Sequence, residues 1–216
     1  MLTRRRFLVT TAIAAAGFAV LASFPGLAFA QEPAATVDEA ELLKPGVLPD
    51  MALGNPDAKV KIVEYMSMTC SHCADFHNKT FDEIKAKYID TGKIYFIVRE
   101  FPLDPLAAAG FMLARNAPGD KYFDVVSYLF KTQSQWAFVD DPLSGLRNVS
   151  KQFGYSPSTF EATLTDQKLL DDINATRQHG ADAFGITGTP TFFINGKREV
   201  GFMSVDEMSA QIDPLL

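Results

Sequence analysis

The only two cysteines of this 216-residue chain, Cys70 and Cys73, stand three apart. A bridge between them closes a very small ring and restricts the unfolded chain little. Distant segments must therefore be held by a buried apolar core, which a chain of this length can supply. A cysteine pair that adds little stability needs another reason to exist. The tetrad Cys70-Ser71-His72-Cys73 suggests reactivity, because a Cys-X-X-Cys with a histidine inside is suited to cycling between dithiol and disulfide.

Residues 1–30 read as an export signal. Arg4-Arg5-Arg6 supply a charged start, an alanine-rich apolar stretch runs from about Val9 to Leu27, and Ala28-Phe29-Ala30 offers small residues for cleavage. Thr3-Arg4-Arg5-Arg6-Phe7-Leu8 resembles a bacterial twin-arginine signal, which exports folded chains. The general secretory route and an uncleaved membrane anchor are the rival readings. No other segment approaches the roughly 20 apolar residues that span a bilayer. The expectation is a soluble protein of the periplasm, where disulfides persist. The full chain carries a net charge of −6, and loss of the three signal arginines makes it −9. An acidic surface argues against nucleic acid as a partner.

Residues 31–57, rich in Pro, Ala and acidic side chains, read as a linker and docking segment, with Leu42-Leu43 and Val47-Leu48 against the body. Residues 58–216 then form one interrupted domain. Val60 to Met68 is an apolar run read as a strand. A helix is expected from about Cys70 to Ile89, because Ala74, His77, Phe81, Ile84 and Tyr88 step by three and four. Lys93 to Glu100 reads as a second strand, which makes a β-α-β unit with parallel strands and a right-handed crossover. A helical block covers about 104–184, including a capped restart at Ser156-Pro157. Thr191 to Ile194 and Lys197 to Phe202 flank an Asn195-Gly196 hairpin turn, and Ser204 to Ile212 closes the chain as a helix.

The order β-α-β, helical insertion, β-β-α is an α/β thioredoxin-like arrangement. With Glu64 through Cys73 and Gly188-Thr189-Pro190-Thr191-Phe192-Phe193-Ile194-Asn195-Gly196 in the right order, the chain resembles the DsbA family of periplasmic thiol oxidoreductases. The resemblance implies that Pro190 is cis and faces the cysteines across a shallow groove. Thr189 and Gly188 would then meet an extended substrate. It also implies exchange with cysteine-containing exported proteins, no soluble cofactor, and reoxidation by a membrane quinone-linked partner. A monomer is expected.

The residues themselves support part of this. Cys70 stands where the strand gives way to the helix, and unpaired N–H groups with a partial positive charge favour its thiolate. His72 adds a charge or a hydrogen bond. Cys73, one turn on, is expected to be more buried and to resolve the mixed disulfide. Glu64, within an apolar strand, is placed to take a proton from Cys73 through water; the rival reading is a solvated carboxylate at a strand edge. Ser71 stands where the family often has proline, which leaves the potential open. A structural bridge or a partial zinc site is the competing reading of the motif. Zinc wants four ligands, and Cys70, Cys73 and His77 supply three, with His179 unplaced. No metal is expected.

His77 is read as a packed histidine in preference to a catalytic one, and Arg99-Glu100 as a solvated pair ending the second strand in preference to a pair acting near the thiols. Trp136, Phe138 and Phe101 are read as core or as the lining of a groove for unfolded chains, and Met66 and Met68 are left between the same two readings. The function that follows is introduction of disulfides by exchange through Cys70 and Cys73. The alternatives are a periplasmic reductase or isomerase and, from another class, a holdase that uses the groove without the thiols.

Overall fold

The computed structural model describes residues 35–119 and 121–216; the expected export signal, residues 1–30, lies outside them. Its centre is a five-stranded sheet of order β1-β3-β2-β4-β5, formed by β1 (Met51–Gly54), β2 (Val60–Met66), β3 (Ile94–Glu100), β4 (Thr191–Ile194) and β5 (Lys197–Val200). β2 and β3 run parallel, Glu64 opposite Val98, and the other pairs are antiparallel. β2 and β3 are covered on both faces, which is why their sequences read as near-continuous apolar runs. The Asn195-Gly196 turn between β4 and β5 has positive φ at both residues, 46° and 80°, as a two-residue hairpin of this twist requires.

Side-chain alternation along the strands divides the core in two. Val63, Tyr65, Ile97 and Phe193 pack with Leu42, Phe184 and Ile186 on one face. Ile62, Met66, Phe96, Val98 and Phe192 pack on the other. Leu42 lies on α1 (Glu39–Leu42) and Phe184 ends the long helix that precedes β4. Glu64 shares the second face with Ile62 and Met66, so it points at the helix that follows β2.

That helix is continuous over residues 71–89, but it is not uniform. It is α-helical in α2 (Ser71–Phe76) and α3 (Asp82–Ile84), and π-wound over His77–Phe81 and Lys85–Ile89. Single π turns inside α-helices are frequent at functional sites. The apolar stripe read from the sequence is the buried one, since Ala74, His77, Phe81, Ile84 and Tyr88 are all buried.

The insertion contains α4 (Pro105–Arg115), α5 (Tyr122–Lys131), α6 (Gln133–Trp136), α7 (Pro142–Ser150), α8 (Pro157–Leu164) and α9 (Gln167–Phe184). Asp104, Asp141, Ser156 and Asp166 cap α4, α7, α8 and α9 through their side chains, satisfying N–H groups that a helix start leaves free. A Cβ on Gly180 would stand 2.8 Å from the Tyr65 ring, so the lack of a side chain lets α9 approach β2. The closing helix is α10 (Val205–Ile212), capped by Ser204.

Three readings change, and one left between two alternatives is decided. Residues 51–54, read as docking segment, are a sheet strand, antiparallel to β3. Four residues on a sheet edge offer too short a pattern to see. Leu42 of that segment is buried as expected, but Val47 is exposed. Arg99 and Glu100 are not a solvated pair: both are buried and each bonds elsewhere. Arg99 donates to both oxygens of Asp50, to the Leu42 and Lys44 carbonyls and to the Tyr65 hydroxyl. Glu100 accepts two bonds from Arg115 and one from Tyr122. Finally, Phe101, Trp136, Met66 and Met68 are core, while Phe138 is exposed.

Candidate active site

The loop from Ser67 to Cys70 links β2 to α2. Cys70 is the residue at which the helix begins. Its φ and ψ, −77° and 120°, are still extended, and its sulfur accepts the main-chain N–H of Cys73 at 3.3 Å. Its thiol also lies 3.2 Å from the Thr189 carbonyl oxygen, to which it donates. Cys70 is 8% exposed and Cys73 is fully buried behind it. The two are not joined by a disulfide.

This setting separates the two thiols. Cys70 is lowered from 9.0 to about 6. The largest cause is a hydrogen bond from the Cys73 thiol. Partial burial opposes it, and the Thr189 side chain and the main-chain N–H groups of Cys73 and His72 add to it. Cys73 is pushed well above 9.0, chiefly by burial, then by Cys70 and by the charge of Glu64. Donors aimed at a sulfur favour its anion, while burial without donors favours the neutral thiol. His72 is exposed, and it acts on the Cys70 sulfur through its main-chain N–H. Ser71 is exposed in the first turn of α2.

The opposite wall is the segment that leads into β4. The Thr189–Pro190 peptide bond is cis. Thr189 presents its carbonyl to Cys70. Gly188 has no atom within 4 Å of the position a Cβ would take, and its carbonyl accepts from the Thr191 hydroxyl at 2.7 Å. The main chain of 188–190 is thus anchored by the Thr191 hydroxyl and touches Cys70 through the Thr189 carbonyl.

Glu64 is fully buried. Its Oε2 lies 3.0 Å from Nε2 of His77, and its Oε1 has no partner. The His77 ring is stacked on Phe130, with centroids 4.7 Å apart, and lies beside Phe81 and Phe76. The packed-histidine reading thus describes its surroundings, but one nitrogen is committed to a carboxylate. Among the described residues no cluster of three or more His, Cys, Asp or Glu side chains is arranged to hold a metal ion. His179 is exposed and lies edge-on to Phe184, far along the chain from the thiols.

Two contacts escape the sequence. Gln133, buried at the start of α6, donates to the carbonyls of Met68 at 2.8 Å and Cys70 at 3.1 Å. Thr69 donates to Asp104 at 2.5 Å, and Leu103 N–H donates to the Ser67 hydroxyl. The insertion therefore grips the loop that carries Cys70 at two points. The sequence marks the onset of a helical block at about residue 104, but nothing in it marks Gln133 apart from other polar helix residues.

The sequence pattern of a family described as thioredoxin matches residues 47–214. A Rickettsia bellii protein bearing the name protein-disulfide oxidoreductase is 35% identical over 166 residues, which is 76% of this chain and 63% of that protein. One of the same name from Rickettsia prowazekii is 32% identical over 83% of this chain and 70% of its own length. The chain thus spans less than two thirds of the Rickettsia bellii protein. Among solved structures, alpha-DsbA1 of Wolbachia pipientis superposes with a TM-score of 0.75 at 32% identity, covering 83% of this chain and 96% of that one.

Proposed function

The chain belongs to the DsbA family of thioredoxin-fold proteins, and from that premise we propose that it introduces disulfides into exported proteins by exchange at Cys70. The observation that supports this reading is the contrast between the two thiols: Cys70, favoured as an anion at the helix start, and Cys73, sealed behind it as a neutral thiol.

In the oxidised protein a substrate thiolate attacks Cys70 Sγ. The Cys70–Cys73 bond breaks, Cys73 leaves with its electron pair and takes up a proton, and a mixed disulfide joins substrate to Cys70. The substrate's second thiol then loses its proton and attacks the substrate sulfur of that bond. Cys70 departs as a thiolate, the substrate carries a disulfide, and the protein holds two electrons more. A low pKa makes Cys70 the better leaving group and stabilises the reduced pair, so the disulfide is oxidising. An extended substrate lies along 188–190, where Gly188 and Thr189 offer main-chain groups beside the sulfur. Glu64 exchanges the Cys73 proton through water. The site of action is the periplasm, with residues 1–30 as the export signal. Reoxidation falls to a membrane quinone-linked partner.

The test mixes the oxidised protein with a reduced, unfolded protein that has two thiols, and follows both disulfides by mass. Stoichiometric transfer, lost in Cys70→Ser, is expected. A Cys70–Cys73 disulfide that resists glutathione at physiological ratios would favour the reductase or isomerase. Undiminished protection of unfolded chains by Cys70→Ser, without transfer, would favour the holdase.

A further inference from the structure

Glu64 has two oxygens in different situations. Oε2 is bound to His77 at 3.0 Å, whereas Oε1 is buried and bonded to nothing. The His77 side chain is 3% exposed and Glu64 is fully buried, so no bulk water competes for either oxygen. A buried carboxylate without a partner is desolvated at great cost and takes up a proton instead. A histidine N–H on one oxygen offsets that cost, as charge-assisted bonds do, and leaves the other oxygen free.

We propose that His77 is a positioning residue for the Cys73 proton: it donates from Nε2 to Oε2 of Glu64, fixing the carboxylate and leaving Oε1 available to Cys73. This rests on the reading of Glu64 as the acceptor. When the reduced protein is reoxidised, a mixed disulfide first forms at Cys70. The Cys73 thiol then passes its proton through water to Glu64, its sulfur attacks Cys70, the Cys70–Cys73 bond forms, and the partner leaves as a thiolate. The same proton returns to Cys73 when a substrate is oxidised.

Among the described residues, Glu64 is the charged group bonded to His77. From its own helix it faces Cys73, one turn earlier, and the rings of Phe76 and Phe81. β2 contributes Glu64, and α5 contributes the Phe130 ring. The next ionisable groups, Glu100, Arg115 and Tyr122, are bonded to one another. The π turn that begins at His77 lies where the ring enters this aromatic box. The Phe130 ring, nearly parallel at 25°, holds its plane.

His77→Phe suits this aromatic lining and removes the donor. The experiment starts from the reduced protein and a small disulfide, and times two steps: mixed-disulfide formation at Cys70, and ring closure by Cys73. His77→Phe is expected to leave the first step within about twofold. It is expected to slow closure at least tenfold at neutral pH and to move its pH–rate profile upward. His77→Gln, which keeps an N–H donor, is expected to restore most of the rate. Closure unchanged in His77→Phe but slowed in Glu64→Gln would overturn the role of His77 alone. Closure unchanged in Glu64→Gln would remove Glu64 as acceptor. Should His77→Phe fail to fold, imidazole nitrogen shifts of the unaltered protein decide the matter. A proton on Nε2, with a shift that responds to Glu64→Gln, supports the proposal; an unprotonated Nε2 accepting from a neutral Glu64 overturns it.

Discussion

Cys70 Sγ and the Thr189 carbonyl oxygen face each other at 3.2 Å across the gap between α2 and the start of β4. One comes from the first half of the thioredoxin-like unit, the other from the second, 119 residues later. The antiparallel β2–β4 pair brings them together, because it sets the end of β2, which leads to Cys70, beside the start of β4, with Tyr65 opposite Thr191.

Removing the Cys73 side chain tests the largest influence on Cys70. In Cys73→Ala the main-chain N–H remains and the thiol donor is lost. The Cys70 pKa should rise above about 6 but stay below 9.0. Mixed disulfides with substrates should accumulate, because the buried resolving thiol is gone. Titration of alkylation rate and intact mass measure the two effects; an unchanged pKa would mean that the Cys73 thiol contributes nothing.

Stability of the reduced protein should depend on pH in one direction between about 6 and 9. Cys70 is lowered on folding from 9.0 to about 6, so its thiolate favours the folded state. That contribution is fully present above about pH 9 and is lost as pH falls through about 6. Cys73, raised well above 9.0, stays a thiol in the folded chain and opposes the trend only as pH nears 9.0, where the unfolded thiol begins to ionise. Urea unfolding of reduced and oxidised protein should show the reduced form gaining relative to the oxidised form as pH rises. A flat difference would contradict the ionisation of Cys70.

Gln133→Leu removes the donor to the Met68 and Cys70 carbonyls. The Cys70 carbonyl keeps the Ala74 N–H at 3.1 Å, but Met68 loses its side-chain donor. A buried acceptor left unpaired costs about 1–3 kcal/mol. Denaturant unfolding should show that loss, with faster amide exchange near residues 68–70. A change within error would mean the insertion does not hold this loop.

Arg115→Met leaves the fully buried Glu100 with Tyr122 as its remaining side-chain partner. Breaking one side of a buried ion pair costs about 3–5 kcal/mol, while replacing both sides by apolar groups costs far less. The double variant Arg115→Met with Glu100→Leu should therefore be more stable than Arg115→Met alone. Thermal melting of the pair distinguishes this from a simple loss of packing, which would make the double variant worse.

Much of this architecture is visible in local patterns. Val60 to Met66 and Ile94 to Glu100 announce themselves because both faces of these strands are covered. The Asn195-Gly196 turn is readable because few residues accept positive φ at two successive positions. Asp104, Ser156 and Ser204 stand at helix starts because their oxygens bond the exposed N–H groups. What was hidden depends on tertiary context. β1 is four residues long and owes its existence to pairing with β3. Arg99 looks like a surface residue until Asp50 and the Leu42 and Lys44 carbonyls surround its guanidinium. His77 lies on the apolar stripe as the sequence suggests, yet its bond to Glu64 joins residues 13 positions apart on different elements. Gln133 meets a loop more than sixty residues earlier.

The ionisation of Cys70 itself bears most directly on the account. Ultraviolet thiolate absorbance of the reduced protein, followed against pH with Cys70→Ser as the blank, should give a midpoint of about 6. A midpoint near 9.0 would leave the sulfur an ordinary thiol at neutral pH and would contradict the proposed exchange.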